Sequence, residues 1–116
     1  HQFCRIGRLA MFSGGRAIAQ DVPPFCMVYN NRSVSGLNLV GLRRANLRDH
    51  IEPLQRAFEI FYHRGLPNLK AAETIEAQLG DNPLCLEFAR FILGGTRRGI
   101  TPLDPRGSGD VIEDTQ

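Results

Sequence analysis

Seven arginines stand among residues 1–48, Arg5, Arg8, Arg16, Arg32, Arg43, Arg44 and Arg48, against one acid, Asp21. A guanidinium carries a permanent charge and a planar fork of donors. A +6 excess in this half therefore points to an anionic ligand or partner: a phosphate, a nucleotide or an acidic protein. A solvated basic face accounts for the same charge equally well. The arginines are dispersed and aromatic interleaving is thin, which argues against nucleic acid as the partner. Residues 49–116 reverse the balance, with seven bases and eleven acids. Cys4, Cys26 and Cys85 are an odd count with no CxxC, which excludes a disulfide framework and a four-cysteine zinc site and suits a reducing cytosol. The expectation is a cytoplasmic protein with no metal and no cofactor. His50 and His63 read as helix-surface residues.

These side chains must be carried by few elements. The chain has 116 residues, 42% hydrophobic and 22% charged, which makes one small domain or the end of a larger one. A chain of this size buries only about two-thirds of its extended surface. No apolar run approaches the ~20 residues of a bilayer span, and no apolar h-region opens the chain, so neither a transmembrane segment nor a signal peptide is expected. The first residue is His1 rather than Met, from which a fragment or a processed product is expected.

Ile6, Phe12 and Ile18 recur every six residues, each opening a short unit of apolar and small residues. A six-residue period with small residues near the corners is a hexapeptide repeat, the pattern of β-helices. Three such faces make a triangular coil of roughly eighteen residues. A glycine-rich loop with chance spacing is the competing explanation. Asp21-Val22-Pro23-Pro24-Phe25 ends the pattern, since paired prolines remove two ladder donors and mark an exit from the sheet. One last strand over Cys26 to Tyr29 can follow before the turn at Asn30-Asn31-Arg32-Ser33.

Helical spacing then predicts a short helix from about Gly36 to Ala45. A second follows Asn46 as cap, with Ile51, Leu54, Phe58 and Phe61 inward, a kink or a start near Pro53 and a stop at Gly65. A third runs from about Leu69 to Leu79, with Asn68 as cap and Leu69, Ala72, Ile75 and Leu79 inward. A fourth runs from about Pro83 to Leu93, with Leu84, Phe88, Phe91 and Ile92 inward. From Thr101 the chain is polar and acidic and is expected to be disordered.

His1-Gln2-Phe3-Cys4, the hexapeptide units, Ala19-Gln20-Asp21-Val22-Pro23-Pro24 and Gly36-Leu37-Asn38-Leu39-Val40-Gly41-Leu42-Arg43-Arg44 form one string in fixed order. Over about residues 1–100 it resembles the C-terminal part of the UDP-N-acetylglucosamine O-acyltransferases that begin lipid A biosynthesis. The hexapeptide part is shared by many acyltransferases, whereas the Gly36–Arg44 string is specific and disfavours a sister enzyme acting on another acceptor. The resemblance implies a β-then-α architecture: the last coils of a left-handed parallel β-helix over 1–35, a helical domain over 36–100 and an acidic tail over 101–116. It also implies a homotrimer whose clefts move a 3-hydroxyacyl group from acyl carrier protein to the sugar 3-hydroxyl of UDP-N-acetylglucosamine. The family's general base is a histidine on an earlier coil, so no catalytic residue is assigned in this chain.

Residue by residue, the resemblance implies that His1 and Gln2 line the substrate cleft, where a neutral imidazole can serve a sugar or phosphate. Asn38 matches a nucleotide-binding asparagine whose amide suits uracil or ribose, and a local helix cap is its alternative. Arg44 matches a basic residue at the diphosphate end. Gly14 matches the position whose bulk limits acyl-chain length, and glycine implies an open groove for a long chain; a corner glycine is its alternative. Two departures weaken the match. Val40 stands where some relatives have a carboxylate, and Ala45 ends a basic run that some relatives continue. The second functional hypothesis, from another class, is a non-catalytic helical domain docking an acidic carrier protein on its arginine-rich side.

Overall fold

Ile6 and Val22, sixteen residues apart, face one another in a parallel bridge, and Met11 and Phe12 pair in parallel with Met27 and Val28 at the same separation. Parallel neighbours cannot be joined by a tight hairpin, so the chain travels round once between them. The computed structural model describes residues 4–13, 20–29, 33–95 and 99–105. Within these, β1 (Met11–Phe12) lies beside β2 (Cys26–Val28), which pairs antiparallel with β3 (Val34–Leu37). Four helices follow: α1 (Leu39–Arg44), α2 (Ile51–His63), α3 (Asn68–Leu79) and α4 (Pro83–Leu93), with a 3-10 turn over Arg48–His50 ahead of α2.

The rungs stack closely at their corners. Gly7 donates from its amide to Val22 O at 2.8 Å, and Val22 donates back to Arg5 O at 2.9 Å. A Cβ on residue 7 would collide with the backbone of Pro24, so this corner admits only glycine. Pro23 and Pro24 therefore form a buried corner, and pairing continues beyond them in β2 rather than ending there.

β3 corrects the expected helix start at Gly36. All four of its residues are buried, with Cys26 opposite Leu37 and Met27 opposite Gly36, and helical hydrogen bonding begins only at Leu39. Asn46 does not cap α2. It sits at φ +64° in the turn after α1, a conformation that asparagine tolerates better than most residues. Pro53 falls in the first turn of α2, where its missing N–H is not needed, so no kink is required. Gly65, at φ +69°, stops that helix as expected. Asn68 is the first residue of α3, not its cap, and Leu69 is 61% exposed rather than inward. α4 has its expected bounds, and Asn82 caps it by accepting from Leu84 and Cys85 N–H at 2.9 and 3.1 Å.

One continuous core joins the two halves. Val22, Phe25, Cys26, Val28 and Val34 from the rungs and the sheet meet Leu54, Phe58 and Phe61 of α2, Ala72 and Ile75 of α3, and Phe88 and Ile92 of α4. Phe61 and Phe88 touch edge to face at 6.0 Å. The expected tail from Thr101 is corrected for its first residues. Ile100 bridges Asp21 and Leu103 bridges Val34, both in parallel, while Thr101 and Asp104 are buried. Tyr62 fixes this segment by donating from its hydroxyl to Thr101 O at 2.8 Å. Residues 106–116 lie outside the described residues. Among the described residues, no helix is long and apolar enough to cross a membrane.

Candidate functional site

The arginines separate into two kinds once their partners are known. Arg5 donates from Nε to Asp21 Oδ2 at 2.9 Å and from a terminal nitrogen to Phe91 O at 2.9 Å, with its guanidinium 4.1 Å above the Phe91 ring. Asp21 is wholly buried and also accepts from the Arg5 backbone N–H at 2.8 Å. Arg8 forms a fork to both carboxylate oxygens of Glu87 and lies 5.3 Å from the Phe25 ring centroid. The hydrogen bond to Glu87 holds the Arg8 guanidinium more firmly protonated than usual. Both side chains fasten the first rung to α4, Arg5 through a buried carboxylate and Arg8 through a pair at the surface. Arg16 and Arg32 lie outside the described residues.

α1 carries the second kind. It is a six-residue helix anchored by Leu39 and Leu42, both buried, and its last turn ends in Arg43 and Arg44. Val40 and Arg44 are four residues apart, hence neighbours on the open side of the helix, and both are exposed. Among the described residues, the Arg44 side chain has no hydrogen bond or ion pair. Arg43 is half-buried and borders an open depression of about 550 Å3 lined also by Arg48, Ile51, Glu52 and Gln55. Positive side chains at a helix C-terminus also complement its dipole.

Asn38 starts α1. Its Oδ1 accepts from Gly41 N–H at 3.0 Å and its Nδ2 donates to Leu9 O at 2.9 Å, leaving the residue 4% exposed. The cap alternative is thus realised, and the amide faces inward. His1, Gln2 and Gly14 lie outside the described residues, so only Asn38 and Arg44 of the expected site residues can be placed. They sit at opposite ends of one short helix.

The two buried cysteines carry no reactive character. Burial pushes the Cys26 thiol far up, and it pushes Cys85 up to about 11 against a weaker opposing pull from Arg56. Tyr62 is likewise raised by burial. Among the described residues, no three of His, Cys, Asp and Glu gather as a metal requires. His63 is a surface residue as expected. His50 is half-buried, with Nδ1 3.0 Å from Asn82 Nδ2. Because Asn82 Oδ1 is engaged at the α4 cap, its nitrogen is the donor and the imidazole accepts. Sequence reading missed this pair and the Arg5–Asp21 clamp, whose partners lie 32 and 16 residues away.

Residues 21–101 match the family model described as UDP-N-acetylglucosamine O-acyltransferase, domain 2. An acyl-(acyl-carrier-protein)–UDP-N-acetylglucosamine O-acyltransferase of Anaeromyxobacter sp. strain Fw109-5 is 46% identical over 103 residues, covering 87% of this chain and 40% of the relative. A protein of the same name from Aliarcobacter butzleri is 40% identical over 102 residues, covering 86% and 38%. Among solved structures, UDP-N-acetylglucosamine acyltransferases from Bacteroides fragilis and Campylobacter jejuni superpose with TM-scores of 0.76 and 0.73 at 33% and 34% identity. They cover 86% and 90% of this chain and 40% of each structure. The chain spans about 40% of the length of the curated relatives it matches.

Proposed function

Since the chain belongs to the UDP-N-acetylglucosamine O-acyltransferase family, we propose that it is the C-terminal part of an enzyme that moves a 3-hydroxyacyl group from acyl carrier protein to the 3-hydroxyl of UDP-N-acetylglucosamine, the first step of lipid A biosynthesis. The observation that carries this reading is Arg44, an exposed guanidinium without a described partner on the open face of α1, beside Val40. A planar fork in that state suits diphosphate or ribose oxygens. Arg5 and Arg8, by contrast, are engaged internally. That engagement leaves less free positive charge on the first rung for the docking surface that a purely carrier-binding domain would need.

In this reading His1 and Gln2 meet the sugar, Arg44 meets the nucleotide end, and Gly14 leaves the acyl groove open. The rungs belong to a left-handed parallel β-helix; their parallel pairing supports this, although its sixteen-residue interval is shorter than the roughly eighteen expected of three six-residue faces. The enzyme is a cytoplasmic homotrimer. This chain supplies nucleotide-end contacts and no general base. Proton removal from the acceptor hydroxyl by a positioned base contributes about 10²–10⁴ in rate, so the chain by itself is inactive.

The test is acyl transfer from 3-hydroxyacyl carrier protein to UDP-N-acetylglucosamine, run with the product of the whole gene and with this chain alone. An O-acylated nucleotide sugar from the first and none from the second is the expected result. Transfer to neither, with the carrier protein bound tightly, would support the carrier-docking domain instead.

A further inference from the structure

Three stretches of chain meet at Asn38, and its polar groups tie all of them. The side-chain Nδ2 donates to Leu9 O at 2.9 Å, and the backbone N–H donates to Phe25 O at 2.7 Å. Oδ1 accepts from Gly41 N–H at 3.0 Å and so closes the first turn of α1. The two carbonyls it holds belong to residues in the left-handed region, Leu9 at φ +60° and Phe25 at φ +68°. Bulky L-residues stay there only where their surroundings hold them. The corners are also joined to each other, since Phe25 N–H donates to Arg8 O at 2.8 Å.

Gly41 belongs to the same arrangement. A Cβ there would collide with the Asn38 amide, so glycine at 41 is what lets the side chain lie across the helix start. Helix nucleation is costly, and six residues cannot maintain an orientation alone. The direction of α1, and with it the place of Arg44 on its last turn, is therefore set by what grips its first turn. Leu39 and Leu42 supply burial on one side, and Asn38 supplies the directional bonds.

We propose that Asn38 is a positioning residue for the nucleotide-sugar site: it fixes α1 against the two rung corners at Leu9 and Phe25 and thereby aims Arg44, without touching the ligand itself. The proposal rests on the reading of Arg44 as the nucleotide-end contact. It differs from the expectation that the Asn38 amide pairs with uracil or ribose, because at 4% exposure both ends of that amide are engaged within the chain.

The experiment combines two variants with Arg44→Ala in a double-mutant cycle on the product of the whole gene. Asn38→Ser keeps an oxygen able to accept at Gly41 but cannot also reach Leu9. Asn38→Asp keeps shape and cap but sets a carboxylate oxygen against the Leu9 carbonyl. Binding of UDP-N-acetylglucosamine is measured by titration, and exchange of the backbone amide at position 38 by NMR. The expected result is that each variant weakens binding about tenfold when Arg44 is present, the scale of losing one charge-assisted hydrogen bond. When Arg44 is already alanine, the further loss stays within about twofold. The amide at position 38 exchanges about fivefold faster, the scale of a lost cap-like bond.

Equal losses in both Arg44 backgrounds would overturn the proposal, since Asn38 would then meet the ligand directly. If the unaltered whole-gene product binds no nucleotide sugar, the proposed function fails at that step and the exchange measurement decides alone. Unchanged exchange at position 38 overturns the positioning role, and faster exchange accompanied by shifted Arg44 side-chain resonances supports it.

Discussion

Arg5 and Arg44 carry the same side chain to different ends, and the difference lies in what surrounds each. Arg5 answers a fully buried carboxylate; Arg44 answers nothing among the described residues. The charge asymmetry was legible in the sequence, but its division was not, because Asp21 and Glu87 meet Arg5 and Arg8 only after the rung has been laid against α4. Arg5→Ala leaves Asp21 buried with only the Arg5 backbone N–H as a donor from that residue. The expected cost is about 3 kcal/mol in urea unfolding, the low end for a broken buried pair because Arg5 is itself partly exposed. The buried thiols and Tyr62 make a second prediction. Each has its pKa raised by burial, so each stays protonated in the folded chain while the unfolded chain ionises. Their contribution is complete below about pH 9 and is lost as pH rises through the folded values, Cys85 near 11. Thermal stability should therefore fall between pH 9 and 11, and Cys85→Ala should flatten that slope even though its stability is lower throughout.

At the scale of elements, what the sequence reveals follows from where the determining contacts lie. α2 and α4 were legible because their apolar residues recur at helical spacing and their ends carry local signals, Gly65 for one and Pro83 for the other. β3 was not legible, since four residues in a strand take their conformation from β2 rather than from their own pattern. The stretch from Thr101 to Asp104 looked polar enough to be disordered. It is held because Thr101 donates twice to Asp21 O and accepts from Tyr62, partners 80 and 39 residues away. Of the candidate site, the helix that bears Arg44 was read correctly in kind, while the inward turn of Asn38 depends on Leu9 and could not be read locally. The α4 cap offers a test at this scale. Asn82→Ala removes two cap bonds and the donor to His50, and should cost about 1–2 kcal/mol in urea unfolding. Asn82→Asp keeps the cap oxygen and should cost less; an equal loss would place the stabilisation in the His50 contact.

For the molecule as a whole, the rungs and the helices share one core, yet the rungs leave large apolar side chains outside it. Ile6 is 51% exposed, Met11 46%, Phe12 37% and Tyr29 56%. Repeat coils bury such faces against neighbouring units, and short unpaired strand edges invite association. The chain by itself is therefore expected to associate through its rungs at tens of micromolar (roughly the range in which exposed edges aggregate), with the helices outside. A stable monomer in sedimentation, with the rung amides protected from exchange, would contradict this. The central claim is that this domain presents Arg44 to the nucleotide end of UDP-N-acetylglucosamine. The most direct measurement is titration of that nucleotide sugar into the product of the whole gene carrying Arg44→Ala or Arg43→Ala. Arg44→Ala should lose about 1.5–3 kcal/mol of binding, the worth of a charge-assisted hydrogen bond, while Arg43→Ala loses much less. Equal losses that disappear together in high salt would contradict the account, leaving a general basic patch in place of a site.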